Sequence, residues 1–365
     1  MKKILKNSGV QAFIASIICI IIGLLVGYIV LLAIEPAGAS EGMGDIIKNF
    51  LGYNSEKMQL KYFASTLTKT APLLMCALSI LFAYKVGLFN IGAAGQYVVG
   101  ACAAIYGAIG LGLGWLPCML LAMIAGMVWA FIVGVLKAYC NVNEVISGIM
   151  LNWIGLYLTN VILDSCKAPS TPYTYSLKAQ AGKAVLPNVG LDELFGNNYI
   201  GIAVILSIIL AIVVDIVLNK TKLGYELRAT GINKNAAKYA GMKEKKNIIL
   251  TLVISGALAG LAGSFLYQTD IQQWMVGESA VPGMGFNGIA AAFLGGLNPI
   301  GTIFASFFIQ HITDGSGQLN LSYYCTQVSD LISAIIIYSC GFVGFMKYAM
   351  NARIARKEEA KGGKK

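Results

Sequence analysis

Six polar residues interrupt otherwise apolar stretches of this chain: Asn90, Gln96, Asn143, Glu144, Asn152 and Asn287. Amides and carboxylates are costly at membrane depth and tend to face a bundle interior or a cavity, so these six are candidates for lining a route for a small solute. Asn90 and Gln96 share one short glycine-rich segment and are the best placed of the six. Asn152 and Asn287 read first as interhelical hydrogen bonds. Glu144 reads as a carboxylate stabilised by the dipole of the helix it begins. A second constellation is basic: Lys220, Lys222, Arg228, Lys234, Lys238, Lys243, Lys245 and Lys246 stand against only Glu226 and Glu244 within residues 220–246. No catalytic set assembles. There is one histidine, His311, with no partners for a metal site, no G-x-x-x-x-G-K-[ST] phosphate cradle and no C-x-x-C. The chain is expected to carry no enzymatic activity and no cofactor of its own.

The elements that position these groups are written in hydropathy. The 365 residues are 57% hydrophobic and 12% charged, with mean hydropathy +0.71. A soluble domain carries about a quarter charged residues. The expectation is an all-α polytopic membrane protein whose apolar runs are each long enough to cross about 30 Å of hydrocarbon. About ten transmembrane segments are expected, near residues 10–34, 65–84, 88–109, 115–139, 144–163, 199–218, 247–268, 285–297, 299–312 and 324–346. The first is too long for a cleaved signal and is read as a retained helix. The pair at 285–312 is short and broken at Asn298–Pro299, where proline disfavours helix before it and removes a donor. Such broken segments either line a pathway or form a re-entrant hairpin that only packs.

Charge sets the expected orientation. With both termini cytoplasmic, the outer segments hold only Lys48, Lys57, Lys61, Lys69, Lys167, Lys178 and Lys183 of the 27 Lys+Arg, in keeping with the positive-inside rule. The formal charge of +10 is then topological, and nucleic-acid binding is not implied. This divides the chain into a cytoplasmic N-terminus (1–9), a transmembrane domain (10–346) and a basic cytoplasmic tail (347–365). Outer loops span about 35–64 and 164–198, and the basic segment 220–246 faces the cytoplasm. Six of the eight cysteines lie in or beside apolar spans as small hydrophobes; only Cys166 and Cys325 reach the outer side. Glycines four apart, as at Gly23 and Gly27 or Gly256 and Gly260, let helix backbones approach closely.

Within the basic segment, Asn233 is placed as an N-cap and Gly241 as the residue past the helix end, predicting a short helix at about 234–240. A further turn is expected around 225–229. A slim helix with Ala236, Ala237 and Ala240 suits the groove of another protein; an anchor on anionic lipid would need only the charge.

Here the chain resembles a known family. ELRATGINKNAAKYAGMKEKKNIILTLVISGALAGLAG (226–263) looks like the cytoplasmic coupling segment of ABC-importer permeases, in the branch shared by branched-chain amino acid, ribose and nucleoside permeases. KVGLFNIGAAGQYVVGA (85–101), VNEVISGIMLNWI (142–154) and GMGFNGIAAAFLGGLNPIG (283–301) narrow it. The NIG-x-x-GQ and NEVI–MLN runs, in this order, look most like nucleoside permeases, and the likeness covers about residues 65–346. The resemblance implies a bacterial plasma-membrane permease subunit that imports nucleosides. Its partners would be cytoplasmic ABC ATPases holding ATP and Mg, a second homologous permease or a second copy of this chain, and an extracytoplasmic substrate-binding lipoprotein. Carried over position by position, the ATPase contact would be Gly224, Glu226, Arg228, Ala229, Gly231, Asn235, Ala236 and Gly241. One position departs: members of the nucleoside group often carry an acid where this chain has Ala94. Sugars or branched-chain amino acids are the alternative cargo. An ion-coupled secondary transporter is the competing class, weakened because Asp215, Asp270, Asp314 and Asp330 lie near span ends rather than within them.

Overall fold

The computed structural model describes residues 8–362. In chain order its helices are α1 (Ser8–Ile34), α2 (Ala39–Lys48), α3 (Glu56–Lys85), α4 (Ala93–Ile109), α5 (Trp115–Cys140), α6 (Glu144–Leu163), the one-turn α7 (Leu177–Gln180) and α8 (Leu191–Phe195), α9 (Ile202–Lys220), α10 (Lys222–Ile232), α11 (Lys234–Tyr239), α12 (Glu244–Tyr267), α13 (Met284–Leu294), α14 (Pro299–Ser316), α15 (Thr326–Cys340) and α16 (Val343–Gly362). Apart from two isolated β-bridges, no extended pairing occurs among the described residues. This is the all-helical, multi-pass membrane architecture that the hydropathy demands.

Seven stretches among the described residues are long and apolar enough to cross a membrane: Ile14–Ile34, Glu56–Lys85, Trp115–Cys140, Glu144–Cys166, Ile202–Lys220, Glu244–Tyr267 and Gln327–Arg353. Ten were expected. The difference lies in α4, with 17 residues, α13, with 11, and the more polar α14. The helix expected from residue 88 starts only at Ala93, because residues 86–92 form a turn whose Gly87 sits at φ +78°. The break between α13 and α14 is where the proline put it. The Asn298 side chain caps α14 by accepting from the Ile300 and Gly301 amides, with Pro299 in the first turn. The last expected span is two helices, α15 and α16, and α16 carries the helix on into the basic tail as far as Gly362.

The chain forms two compact units, residues 53–289 and residues 1–52 with 290–365. In the first, α3 and α12 are the centre: 89% and 78% of their apolar windows are buried, against 28–33% for α5, α6 and α9. Mean hydropathy does not pick α12 out, but side-chain size does. A helix apolar all round is a buried one, and the small residues of α12 admit its neighbours to backbone contact. A Cβ on Gly256 would lie 2.4 Å from the Gly126 carbonyl oxygen of α5, and one on Gly260 would lie 2.3 Å from that of Ala122. Gly263 makes the same kind of approach to Tyr97 and Ala101 of α4.

The second unit packs α1, α2, α14 and α15 around Leu31, Ile46, Ile312, Tyr324, Ile332 and Ile336. Gly23 brings α1 against Ile336 and Ser339 of α15, and Gly27 extends the contact. His311 does structural work here. Its Nε2 lies 2.9 Å from the Ile47 carbonyl and its Nδ1 3.3 Å from the Asn49 amide nitrogen. With Nε2 protonated, both contacts are satisfied. Among the described residues no cluster could hold a metal, and all eight cysteines, Cys166 and Cys325 included, are free thiols.

Candidate functional site

Three arrangements within residues 53–289 carry chemistry. The first is a buried polar knot. The Asn90 amide nitrogen lies 2.8 Å from Gln96 Oε1, 2.7 Å from Ser255 Oγ and 3.1 Å from Ser79 Oγ, and Gln96 Nε2 returns a bond to Asn90 Oδ1 at 3.0 Å. The turn at 86–92 is thereby tied to α3, α4 and α12 at once. All four side chains are buried, so in this conformation Asn90 and Gln96 bond each other rather than line open space. Replacing Asn90 by leucine strands the Gln96 amide, while Ser79 and Ser255 keep their bond to each other and Ser255 its bond to the Ser79 carbonyl. Unmade buried bonds cost about 1–3 kcal/mol, and the purified protein should unfold at correspondingly lower denaturant. An unchanged midpoint would show that the knot contributes nothing.

Asn152 links helices as its position suggested: its Oδ1 accepts from the Gly95 amide at 2.8 Å and its Nδ2 donates to the Ile91 carbonyl at 3.1 Å. Asn143 is the cap of α6, accepting from the Val145 amide. Glu144, in the first turn beside it, pairs with Lys137 of α5 at 2.7 Å. Asn287 is half-buried on α13. Ala94 is buried and packed against Gly285, whose added Cβ would stand 2.4 Å from the Ala94 Cα.

The second arrangement is a cavity of about 790 Å3 at the end of α12, which includes none of the six polar candidates. Its wall is aromatic. Tyr97 and Tyr267 have ring centroids 6.4 Å apart, and Tyr267 and Trp274 5.7 Å. Its floor is the loop after α12, which the loop at 164–201 clasps. The Thr174 amide donates to the Trp274 carbonyl, the Val276 amide to Pro172, and the Trp274 indole nitrogen to Asn160 Oδ1 at 3.1 Å, while Asn160 Nδ2 holds the Glu278 carbonyl. Asp270, at φ +58°, spends its carboxylate on the start of α7, accepting from Ser176 Oγ at 2.5 Å and the Leu177 amide at 3.0 Å. At the rim Lys178 sits 4.0 Å above the Tyr199 ring, and burial pulls its ammonium below the usual lysine pKa. These lining residues escaped the sequence reading because they are ordinary loop and helix-end residues that only the fold brings together. The one visible signal was the run Gln272, Gln273, Trp274 just past an apolar span.

The third arrangement is the basic segment, which folds as two helices. α11 is bounded as its caps predict, with Asn233 Oδ1 accepting from the Ala236 amide and Gly241 at φ +80°. The turn expected at 225–229 is the longer helix α10, capped by Thr221. The eight candidate contact residues divide. Gly224 and Gly231 are packing positions: a Cβ would meet the Val217 carbonyl at 2.1 Å and the Val86 carbonyl at 2.0 Å. Arg228, Ala229 and Ala236 line a groove of about 500 Å3 between the helices. Asn235 and Gly241 are exposed, and Glu226 holds only a loose 3.8 Å contact with Lys222. Two residues absent from that set stand out most, since Ile232 is 87% and Tyr239 95% exposed. Apolar side chains that bare, on a segment rimmed by polar residues, mark an interaction surface.

Comparison with known proteins follows the same lines. The family described as "Branched-chain amino acid transport system / permease component" matches residues 62–340. The guanosine ABC transporter permease protein NupP of Bacillus subtilis is 33% identical over 88% of this chain and 90% of its own length. The nucleoside ABC transporter permease protein NupB of Lactococcus lactis is 32% identical over 91% of each. The guanosine ABC transporter permease protein NupQ of Bacillus subtilis is 28% identical over 67% of this chain and 78% of its own length. No solved structure matches.

Proposed function

The chain belongs to the branched-chain amino acid transport system / permease component family, and from that premise we propose that it is the permease subunit of an ABC importer carrying nucleosides into a bacterial cell. Nucleoside cargo rests on the likeness to the guanosine permease NupP and the nucleoside permease NupB. Bacillus subtilis has both NupP and NupQ among the relatives, and this chain is closer to NupP. The partner permease is accordingly a second, NupQ-like chain rather than a copy of this one. A substrate-binding lipoprotein delivers cargo from outside, and cytoplasmic ATPase subunits bind ATP and Mg. In this reading about ten segments cross or enter the membrane, both termini face the cytoplasm, and residues 220–246 meet the ATPase.

The observation that carries the ATP-driven part is how α10 is mounted. Its outer surface is bare, with Tyr225, Ile232 and Tyr239 on or beside it exposed. Its inner surface is fused to the membrane core, because Asn247 Nδ2 of α12 donates to Thr230 Oγ1 at 2.8 Å in a buried contact. Closure of the ATPases on ATP presses this surface, and the difference in ATP affinity between open and closed states drives the permease between outward and inward openings. Glu226 and Arg228 steer the contact, and Ile232 and Tyr239 fill the partner's surface.

In proteoliposomes holding the assembled complex, Ile232→Ala with Tyr239→Ala should lower nucleoside uptake at least about tenfold, since losing two anchor residues removes more than 1.4 kcal/mol of contact. Glu226→Ala and Arg228→Ala should lower uptake per ATP hydrolysed by a smaller factor. Uptake that survives all four substitutions would reject this docking surface. Competition by excess unlabelled glucose or leucine, with none by guanosine, would overturn the cargo.

A further inference from the structure

We propose that the cavity at the end of α12 is a docking site for the cargo on its way through the permease, shaped for a nucleoside: the base against the exposed rings of Tyr173 and Tyr199, its polar edge and the sugar hydroxyls met by Gln272, Gln273 and Glu278. The proposal rests on the importer reading above and adds to it the residues that hold the cargo. At about 790 Å3 the cavity falls within the ordinary size of small-molecule sites, roughly 300–1,000 Å3. Tyr97, Tyr267 and Trp274 are buried behind its surface, but Tyr173 and Tyr199 of the lining are 43% and 38% exposed and offer what any nucleobase can use, a π-face, without regard to sequence of donors and acceptors.

The polar groups decide the chemical class. Most of those around the cavity are already spent. The Trp274 indole nitrogen is held by Asn160, and the Asp270 carboxylate by Ser176 and the first turn of α7. The side chains of Gln272, Gln273 and Glu278 have no hydrogen-bond or ion-pair partner among the described residues, although Gln273 and Glu278 are half-buried. A half-buried carboxylate without a partner needs donors, and a ribose diol supplies two. Each glutamine amide presents a donor beside an acceptor, the pairing that the edge of a base presents in reverse.

The lining contains no lysine, arginine or histidine. A zwitterionic amino acid would bring its own carboxylate into a site that already holds Glu278 and Asp270, and the cation at the rim, Lys178, is already engaged by the Asn198 carbonyl and the Tyr199 ring. A free sugar would satisfy Glu278 and leave the amides and the exposed rings of Tyr173 and Tyr199 without a partner. A neutral molecule with both a flat polar ring and a diol uses all of it.

The test uses the whole complex, with its ATPase subunits and binding protein, in proteoliposomes supplied with labelled guanosine. Glu278→Gln and Gln273→Ala should each lower the maximal uptake per ATP hydrolysed at least about tenfold, the size expected when a site built to hydrogen-bond its ligand loses one of those groups. Gln272→Ala, at an exposed position, carries the same expectation should either of the others fail to assemble. Wild-type uptake with all three variants within about twofold of it would overturn the cavity as a cargo site and leave the importer reading standing. A wild-type complex that does not take up guanosine at all would overturn both.

Discussion

A Gly260→Leu variant is expected to lose at least about 3 kcal/mol of stability, the upper end for overpacking a close contact, seen as a lower melting temperature of the detergent-purified protein. The cost comes from backbone, which cannot rotate away. The new Cβ would begin 2.3 Å from the Ala122 carbonyl oxygen and 3.1 Å from the Gly126 Cα, so α5 and α12 must separate before the rest of the leucine is placed. Gly126 and Gly256 meet across the same crossing, and α12 also touches α3 and α4. Spreading one crossing therefore loosens three, and lipid tails offer no hydrophobic penalty to drive the helices back together. Gly44→Ala is the control. Nothing lies within 4 Å of its new Cβ inside α2, and alanine in a helix interior is favoured by about 1 kcal/mol. Equal melting temperatures for Gly260→Leu and wild type would mean that α12 is not packed as described.

What the sequence disclosed and what it withheld divide along the range of the interactions involved. The ends of α11 were legible because a cap is local: Asn233 needs only the amide three residues on, and Gly241 needs only its own φ. The break at Asn298–Pro299 was legible for the same reason. The extent of α10 was not, since Gly224 looks like a helix breaker until its approach to Val217 and Leu218 of α9 is known. Asn90 and Gln96 were singled out as the best-placed route residues because they share one segment, but whether a pair of amides lines a path or locks two helices depends on Ser79 and Ser255, which lie 11 and 165 residues from Asn90. The cavity was the least legible feature. Its residues come from α4, the loop at 164–201, the end of α12, the loop after it and the start of α13, and no periodicity or spacing joins Tyr97 to Trp274. Ala94 is a mixed case. Its departure from the nucleoside group was visible in the sequence, but its buried place against Gly285 was not.

Gly231→Val is expected to separate ATP hydrolysis from uptake: ATPase activity of the assembled complex persists while uptake per ATP falls at least about tenfold, equivalent to 1.4 kcal/mol of lost coupling. The reasoning starts from a contact. A Cβ on Gly231 would lie 2.0 Å from the Val86 carbonyl oxygen, a full 1 Å inside the 3.0 Å that real Cβ atoms respect, and a Cβ on Gly87 would lie 2.9 Å from the Gly231 carbonyl oxygen. The end of α10 is thus seated backbone to backbone on the turn between α3 and α4. Three residues beyond Gly87 stands Asn90, bonded to α3, α4 and α12. A displacement of α10 reaches that knot with no side chain between them to absorb it. Valine holds α10 off its seat while leaving the exposed Ile232 and Tyr239 free to meet the ATPase, so engagement should survive and transmission should not. The stability loss should be smaller than that of Gly260→Leu, because α10 lies at the edge of the unit and can shift as one body. Loss of ATPase engagement along with uptake would place Gly231 in the docking surface itself; normal uptake per ATP would show that the push travels by another route, with Thr230–Asn247 the next contact to remove.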